Sequence, residues 1–526
     1  MKRTTILWIT ALLLGWCFDL LFWKQTPSIN FSLYVLLCLA GGLLVLGRNG
    51  LRPAWKSLLL LIPILFFALV TTIRQEPLTL ALSFVLTLGL MGLLAASYLG
   101  GRWPAYALTD YVVQYARLAG SLIARPLILL YGNRKAAMPV GQDDLAMIAS
   151  HPGQKRFWAI LRGVLIAIPI LAVFAALLAS ADLVFAQRLH DFTGLFRLEN
   201  LPQYLFRLFY ILAAAYGLAG VFLHAAQKST GEKLFSQKPL VPQFLGFTEA
   251  AVVLGALVTL FALFVVIQFQ YFFGGGANIG VQGYTYSEYA RRGFGELVAV
   301  ACCSLLLFLG LSAIVNRQNN AQRRAFSGLG IGMVVLVGVM LDSAFQRLQL
   351  YEAAYGFSRL RMYTDIFMIW LGVLLVAVVL LDLLRRERLF PLAALLAAIG
   401  FAATLALVNV DASIVRQNVA RAPQGQGLDV AYLAMLSNDS VPALAAAYEF
   451  TVLPGLTRDA IGAVLVCRLH SVSQPTGGDW RSFNLSAWWA DQAVAGLRNR
   501  LDLYQVTQDQ GVLKILTPGS IYYECP

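Results

Sequence analysis

A chain of 526 residues that is 59% hydrophobic and only 13% charged has too few ionic groups for an ordinary soluble domain, where about a quarter of residues are charged. Its formal net charge of +13 does not mark a nucleic-acid binder, because from Val410 onward 8 basic and 10 acidic side chains leave a balance of −2. The excess positive charge therefore sits in short segments between apolar runs, where it orients a membrane protein and builds no basic groove.

Residues 1–23 open on Lys2 and Arg3 and then run apolar, with no small-residue cleavage site before Lys24. They read as a first membrane helix and not as a cleaved signal. A crossing helix takes about 20 mostly apolar residues. Eleven windows qualify: 4–23, 31–47, 55–73, 78–99, 157–181, 203–225, 248–272, 294–315, 326–345, 363–384 and 390–408. The ninth contains Gly328, Gly330, Gly332 and Gly338, which favours close helix approach. The fold class is thus all-α, a polytopic transmembrane helix bundle of about 11 spans with a small helical C-terminal extramembrane domain. Residues 1–100 hold four N-terminal transmembrane helices and 101–156 a cytoplasmic or interfacial segment. Residues 157–408 form a seven-helix core and 409–526 an extracytosolic helical domain.

Loop charge sets the orientation, since cytoplasmic loops collect Lys and Arg. Every second connection is basic: Lys2 and Arg3; Arg48, Arg52 and Lys56; a stretch from Arg102 to Arg162; Lys228, Lys233 and Lys238; Arg317, Arg323 and Arg324; and Arg385, Arg386 and Arg388. The N-terminus is then cytoplasmic and the tail extracytosolic. In segment 105–131, Leu108, Tyr111, Val112, Tyr115, Leu118 and Leu122 share one helical face. That suits a helix lying in the inner leaflet's interface, with a re-entrant or spanning helix as the alternative. The tail predicts helices over 429–436, 441–451, 458–471 and 485–503. Its Cys467 and Cys525 either pair in an oxidising compartment or remain as two thiols.

Templates for metal and cofactor chemistry fail. His151, His190, His224 and His470 are scattered, and no Walker loop, G-x-S-x-G or Cys-x-x-Cys occurs, so no metal, no cofactor and no catalytic motif is expected. Adjacent Cys302 and Cys303 read as small apolar residues of a membrane helix, and glycines 274–276 as a turn. Glu249 opens a helix, where its charge suits the N-terminal dipole.

Ionisable groups concentrate between the seventh and tenth windows, where each costs about 2.5–3.5 kcal/mol at membrane depth and so faces a cavity or a partner. The candidate binding residues are Glu288, Arg291, Arg292, Glu296, Asp342, Glu352, Tyr355, Arg359 and Arg361. Glu288 with Arg292, and Arg361 with Asp365, are spaced to pair on a helix. Tyr351, Tyr355, Arg359 and Tyr363 recur every four residues as one aromatic and basic stripe. Two readings stand: an ion-paired network locking helices together, or an outward-facing pocket. In the pocket, guanidinium forks hold a carboxylate or phosphate.

The segment from Gln268 through Tyr271, Gly274 and Gly275 to Tyr286, Arg291, Arg292 and Phe294 resembles a large bacterial family of polytopic membrane proteins. So do Glu352-Ala-Ala-Tyr355-Gly-Phe-Ser-Arg359-Leu-Arg361 and Asn409-Val-Asp411-Ala-Ser-Ile-Val-Arg416-Gln-Asn418. That family is catalogued only as a domain of unknown function, numbered 4153 or 4173, and the resemblance covers roughly residues 150–505. It implies many spans, a soluble tail, a bacterial membrane location and no established activity, and it assigns no catalytic residue.

The leading expectation is a protein that binds or transports a small anionic or lipid-linked molecule through the Arg/Glu/Tyr pocket. One alternative is an enzyme using a lipid-linked donor in glycosyl or phosphoglycosyl transfer, which the absence of Asp and Glu from the first outer loop, 24–30, disfavours. The other is an envelope signalling or scaffold protein whose tail meets a periplasmic partner through Trp480, Trp488 and Trp489, which read more readily as anchors packing on the membrane surface. The lipid bilayer is a partner in every reading, and nucleic acid in none.

Overall fold

The computed structural model describes residues 4–135, 201–227, 244–273, 294–317, 319–422, 428–450, 453–471, 479–509 and 512–525, with isolated positions between 163 and 187. Among them, ten helices are long and apolar enough to cross a membrane. The N-terminal ones are α1 (Thr4–Phe22), α2 (Ile29–Arg48), α3 (Leu61–Ile73, led in by a short helix at Trp55–Leu58) and α4 (Pro77–Ser97). After the non-apolar α5 (Leu108–Lys135) come α6 (Leu201–Gln227), α7 (Phe247–Phe273), α8 (Phe294–Ile314), α9 (Asn320–Tyr355), α10 (Arg359–Leu383) and α11 (Phe390–Val408). Ten of the eleven windows coincide with these spans. The remaining one, 157–181, lies outside the described residues apart from isolated positions.

Local chemistry sets the ends. Pro77 occupies the first turn of α4, where its missing N–H costs nothing. Glu76 caps that turn by accepting from the Leu78 and Thr79 amides at 2.9 and 2.7 Å. Glu249 likewise caps α7 locally, accepting from the Gly246 amide at 2.8 Å. Inside the bilayer, hydroxyls satisfy themselves on neighbouring backbone, as hydrocarbon demands: Ser32 Oγ donates to the Ala68 carbonyl at 2.5 Å. Helices α7–α10 share one apolar core and α2–α4 another, and Ala402 of α11 joins the latter while α11 also packs on α10. Of the four glycines in the ninth window, Gly330 is the one that permits close approach, because a Cβ there would overlap the Phe308 ring.

Three turns meet the C-terminal tail and so define a tail face. The α1–α2 turn bonds Phe483 through Ser28 Oγ at 2.7 Å. The α3–α4 turn donates the Gln75 and Glu76 amides to Asp439, both at 2.9 Å. The α9–α10 turn is held by Asn418. The basic groups at Arg48–Lys56, 317–324 and 385–388 lie at the other ends of the same helices, on the far face. Asp19 near the end of α1 pairs with Arg207 near the start of α6 at 2.5 Å, so α6 also begins on the tail face. Helix α4 ends at Ser97, on the far face.

Helix α5 does not lie apart on a surface. His224 of α6 bonds Ser121 at 2.8 Å, the Tyr115 hydroxyl donates to the Gly89 carbonyl of α4 at 2.6 Å, and Gln114 and Leu118 are buried. Polar residues that a lipid interface would leave wet are instead satisfied by neighbouring helices.

The tail comprises α12 (Val410–Arg421), α13 (Val430–Ala434), α14 (Val441–Glu449), α15 (Gly455–Ser471) and α16 (Leu485–Ala495). Ile414, Leu433, Leu444, Ile461 and Val464 form its fully buried centre, each such side chain contributing about 1.5–3 kcal/mol. The helical expectation for the tail is incomplete. Strands β1 (Gln505–Asp509), β2 (Val512–Leu516) and β3 (Tyr522–Glu524) make an antiparallel sheet that sends Ile515 into the core. Cys467 of α15 and Cys525 are joined in a disulfide.

Candidate functional site

Of the nine residues singled out from the sequence, Glu288, Arg291 and Arg292 lie outside the described residues. Glu296 is exposed in the first turn of α8. Asp342 is exposed on α9, where it accepts from Gln346 at 2.9 Å. It sits 13 residues before the end of that helix, about 20 Å along its axis. The other four, Glu352, Tyr355, Arg359 and Arg361, come together at the α9–α10 turn. The four-residue stripe does not survive as one helix face: α9 stops at Tyr355 and α10 starts at Arg359, because Gly356 takes φ +82° and ψ 175°.

The guanidinium groups at this turn are already engaged. Arg359 donates from Nε and Nη2 to the two oxygens of Asp411 at 2.8 and 2.6 Å. Asp411, fully buried, also accepts from the Ser437 amide at 2.7 Å. Arg361 lies over the Tyr351 ring at 4.2 Å and donates to the Gly356 carbonyl. Asp365 faces Glu352, with Arg361 and Arg421 supplying positive charge nearby. Asn418 accepts from the Phe357 amide at 2.8 Å and donates to the Phe357 carbonyl at 2.9 Å. The two sequence stretches around Arg359 and Asp411 thus form one clamp between bundle and tail.

Gly356 makes that clamp possible. Its backbone region admits essentially glycine alone, and a Cβ would sit 2.7 Å from both Asn418 Oδ1 and Arg421 Nη1. Gly356→Ala is expected to destabilise the protein by ~2 kcal/mol, read as a lower melting midpoint of full-length protein in detergent. An unchanged midpoint would show that the turn relaxes freely.

An open groove of about 820 Å3 lies next to the clamp. Its floor and walls include Ala412 of α12, Ala443, Ala447 and Phe450 at α14, and Trp489 of α16. Arg74 ends α3 and Asn409 ends α11, which sets the groove at the boundary of the bilayer. Phe450 is 61% and Trp489 42% exposed, as suits aromatic side chains at that level.

Polar groups enter this apolar groove at one end. Arg74 Nε donates to the Ala406 carbonyl of the last α11 turn at 2.8 Å. Burial pulls this guanidinium below its usual range while Asp439 pulls it back up, and it stays charged. Burial pushes the Asp439 carboxyl up, against the opposing effects of Ser486, the Gln75 amide and Arg74. Asn409 adopts φ +53° and caps α12 through the Ala412 amide at 3.2 Å. Arg416 is exposed, with one bond to Ser413 Oγ at 3.1 Å.

Sequence reasoning assigned none of these residues to a site. Arg74 directly follows an apolar window, on the tail face that it shares with Arg207, Arg359 and Arg361. Arg416 and Asn409 stood inside a motif used for the resemblance, with no role attached.

Among the described residues no group of three or more His, Cys, Asp or Glu side chains is placed to hold a metal ion. No curated protein and no solved structure matches the chain. The model of Domain of unknown function (DUF4153) matches residues 61–447, beginning well before the expected residue 150 and ending within α14. Both halves of the Arg359–Asp411 clamp, and the α3–α4 turn that carries Arg74, fall inside that match. This multi-pass membrane protein therefore belongs to the DUF4153 family.

Proposed function

We propose that the protein holds an anionic amphiphile, a lipid-like or lipid-linked molecule, in the groove between bundle and tail. The observation that supports this best is the meeting of apolar walls with the guanidinium groups of Arg74 and Arg416 at the bilayer boundary. A hydrocarbon chain laid against Ala443, Phe450 and Trp489 gains about 25 cal/mol per Å2 of apolar surface buried. Its phosphate or carboxylate meets Arg416 at the mouth and Arg74 deeper in, and guanidinium forks suit such groups. The site predicted around Arg359 and Arg361 moves with this reading to its neighbour, since those two side chains are spent on Asp411 and Tyr351.

The tail face is read as the extracytosolic side of a bacterial inner membrane, with the N-terminus cytoplasmic. The basic ends on the far face obey the loop-charge rule, and the Cys467–Cys525 bond suits an oxidising compartment. The groove then opens toward the outer leaflet, where a lipid-linked molecule arrives laterally.

The test is a titration of full-length protein in neutral detergent with dodecyl phosphate, followed by tryptophan fluorescence. Arg74→Gln and Arg416→Gln are each expected to weaken binding about tenfold, the effect of one charge-assisted hydrogen bond. Trp489→Ala should weaken dodecyl phosphate and uncharged dodecanol alike. Equal affinity of wild type and both arginine variants for dodecyl phosphate sinks the reading.

A further inference from the structure

On the far face, away from the groove, a second cavity of about 940 Å3 lies among the start of α9, the end of α10 and the turn into α11. Arg323, Arg324, Arg385, Arg386 and Arg388 line it, all exposed. The Glu387 carboxylate beside them is taken by Arg317 at 3.3 Å. Loop-charge asymmetry accounts for basic residues on this face, but three features here go beyond it.

First, Arg323 and Arg324 stand in the opening turns of α9, where the helix dipole disfavours positive charge. The free amides of the same turns attract an anion. Second, Arg385 holds φ +55° in the residue position after a helix end that glycine normally fills, so a guanidinium is kept there at a backbone cost. Third, Asp382 is 7% exposed and lines the cavity, and neither of its carboxylate oxygens has a hydrogen-bond partner among the described residues. A buried acceptor without a donor is costly and calls for a ligand that brings one.

From this arrangement we infer that the far-face cavity binds a phosphorylated polyol, its phosphate held by arginines of α9 and the α10–α11 turn and its hydroxyl donated to Asp382. Glycerol phosphate carries both groups. It reaches the site either free or as the headgroup of phosphatidylglycerol, whose chains would run down beside Leu383, 58% exposed at the cavity edge.

Thermal melting of full-length protein in neutral detergent tests this with three probes: glycerol 3-phosphate, short-chain phosphatidylglycerol and short-chain phosphatidylcholine. Phosphatidylglycerol is expected to raise the melting midpoint and phosphatidylcholine to leave it unchanged. An equal rise with glycerol 3-phosphate identifies a free phosphate ester as sufficient, and no rise with it identifies the lipid; either supports the site. Arg385→Gly removes a guanidinium while relieving the backbone, so its unliganded midpoint should not fall, yet its apparent affinity should drop about tenfold. Arg323→Gln with Arg386→Gln should abolish the shift, and Arg74→Gln in the distant groove should preserve it. A shift that is absent from wild type, matched by phosphatidylcholine, or unchanged in the Arg323/Arg386 variant overturns the inference.

Discussion

Asp411→Ala is expected to cost about 3–5 kcal/mol, the range for breaking one side of a buried ion pair. Asp411 is fully buried and accepts three hydrogen bonds, two from Arg359 and one from the Ser437 amide. Without it the Arg359 guanidinium, 24% exposed, is left partly desolvated, and the first turn of α12 loses an acidic residue that favours its dipole. The loss should appear as a lower melting midpoint and as protease cutting within 428–525 under conditions where wild-type tail resists. The converse is also expected: Arg359→Met combined with Asp411→Leu should recover most of the stability, because an apolar pair of similar volume often replaces a buried ion pair at little cost. If Asp411→Ala melts with wild type, the clamp does not hold the tail to the bundle.

The difference between what the sequence displays and what it conceals follows from the range of the interactions. Crossing helices are legible because each is set by its own composition, so window 31–47 became Ile29–Arg48 and window 390–408 became Phe390–Val408. Helix α9 outruns its window at both ends, since polar flanks such as Arg323 and Glu352 continue the helix beyond the apolar stretch. The stripe of Tyr351, Tyr355, Arg359 and Tyr363 failed because spacing by four presumes an unbroken helix, and Gly356 breaks it. The three strands, of five, five and three residues, are too short to stand out beside a tail of helices. Nothing local marks the pairing of Asp19, because its partner Arg207 lies 188 positions away. The groove was the least legible feature of all. It is assembled from residues near 74, 409–420, 439–453 and 486–489, and no local pattern connects those segments.

Loss of the disulfide should produce the second large effect, confined to one part of the tail. Cys467 and Cys525 close a loop of 58 residues, and releasing it returns about 4 kcal/mol of chain entropy to the unfolded tail in the loop-closure account. What then holds the sheet is Ile515 in the core, Val506 and Tyr523 packed against it, and the Gly519 amide on Asp459 at 3.0 Å, so the sheet should open before the bundle, as a local unit. Cys525→Ser is therefore expected to give protease cutting within 505–525 and little change in the melting of the transmembrane helices. The same bond reports on sidedness. Protein taken from membranes, with free thiols blocked under denaturing conditions and no reductant, should leave Cys467 and Cys525 unlabelled until reductant is added. Labelling of both without reductant would mean the tail resides in a reducing compartment, and the orientation proposed from Arg48, Arg317 and Arg385 would have to be reversed. With it the groove would face the cytoplasmic leaflet, and the anionic amphiphile would have to come from that side.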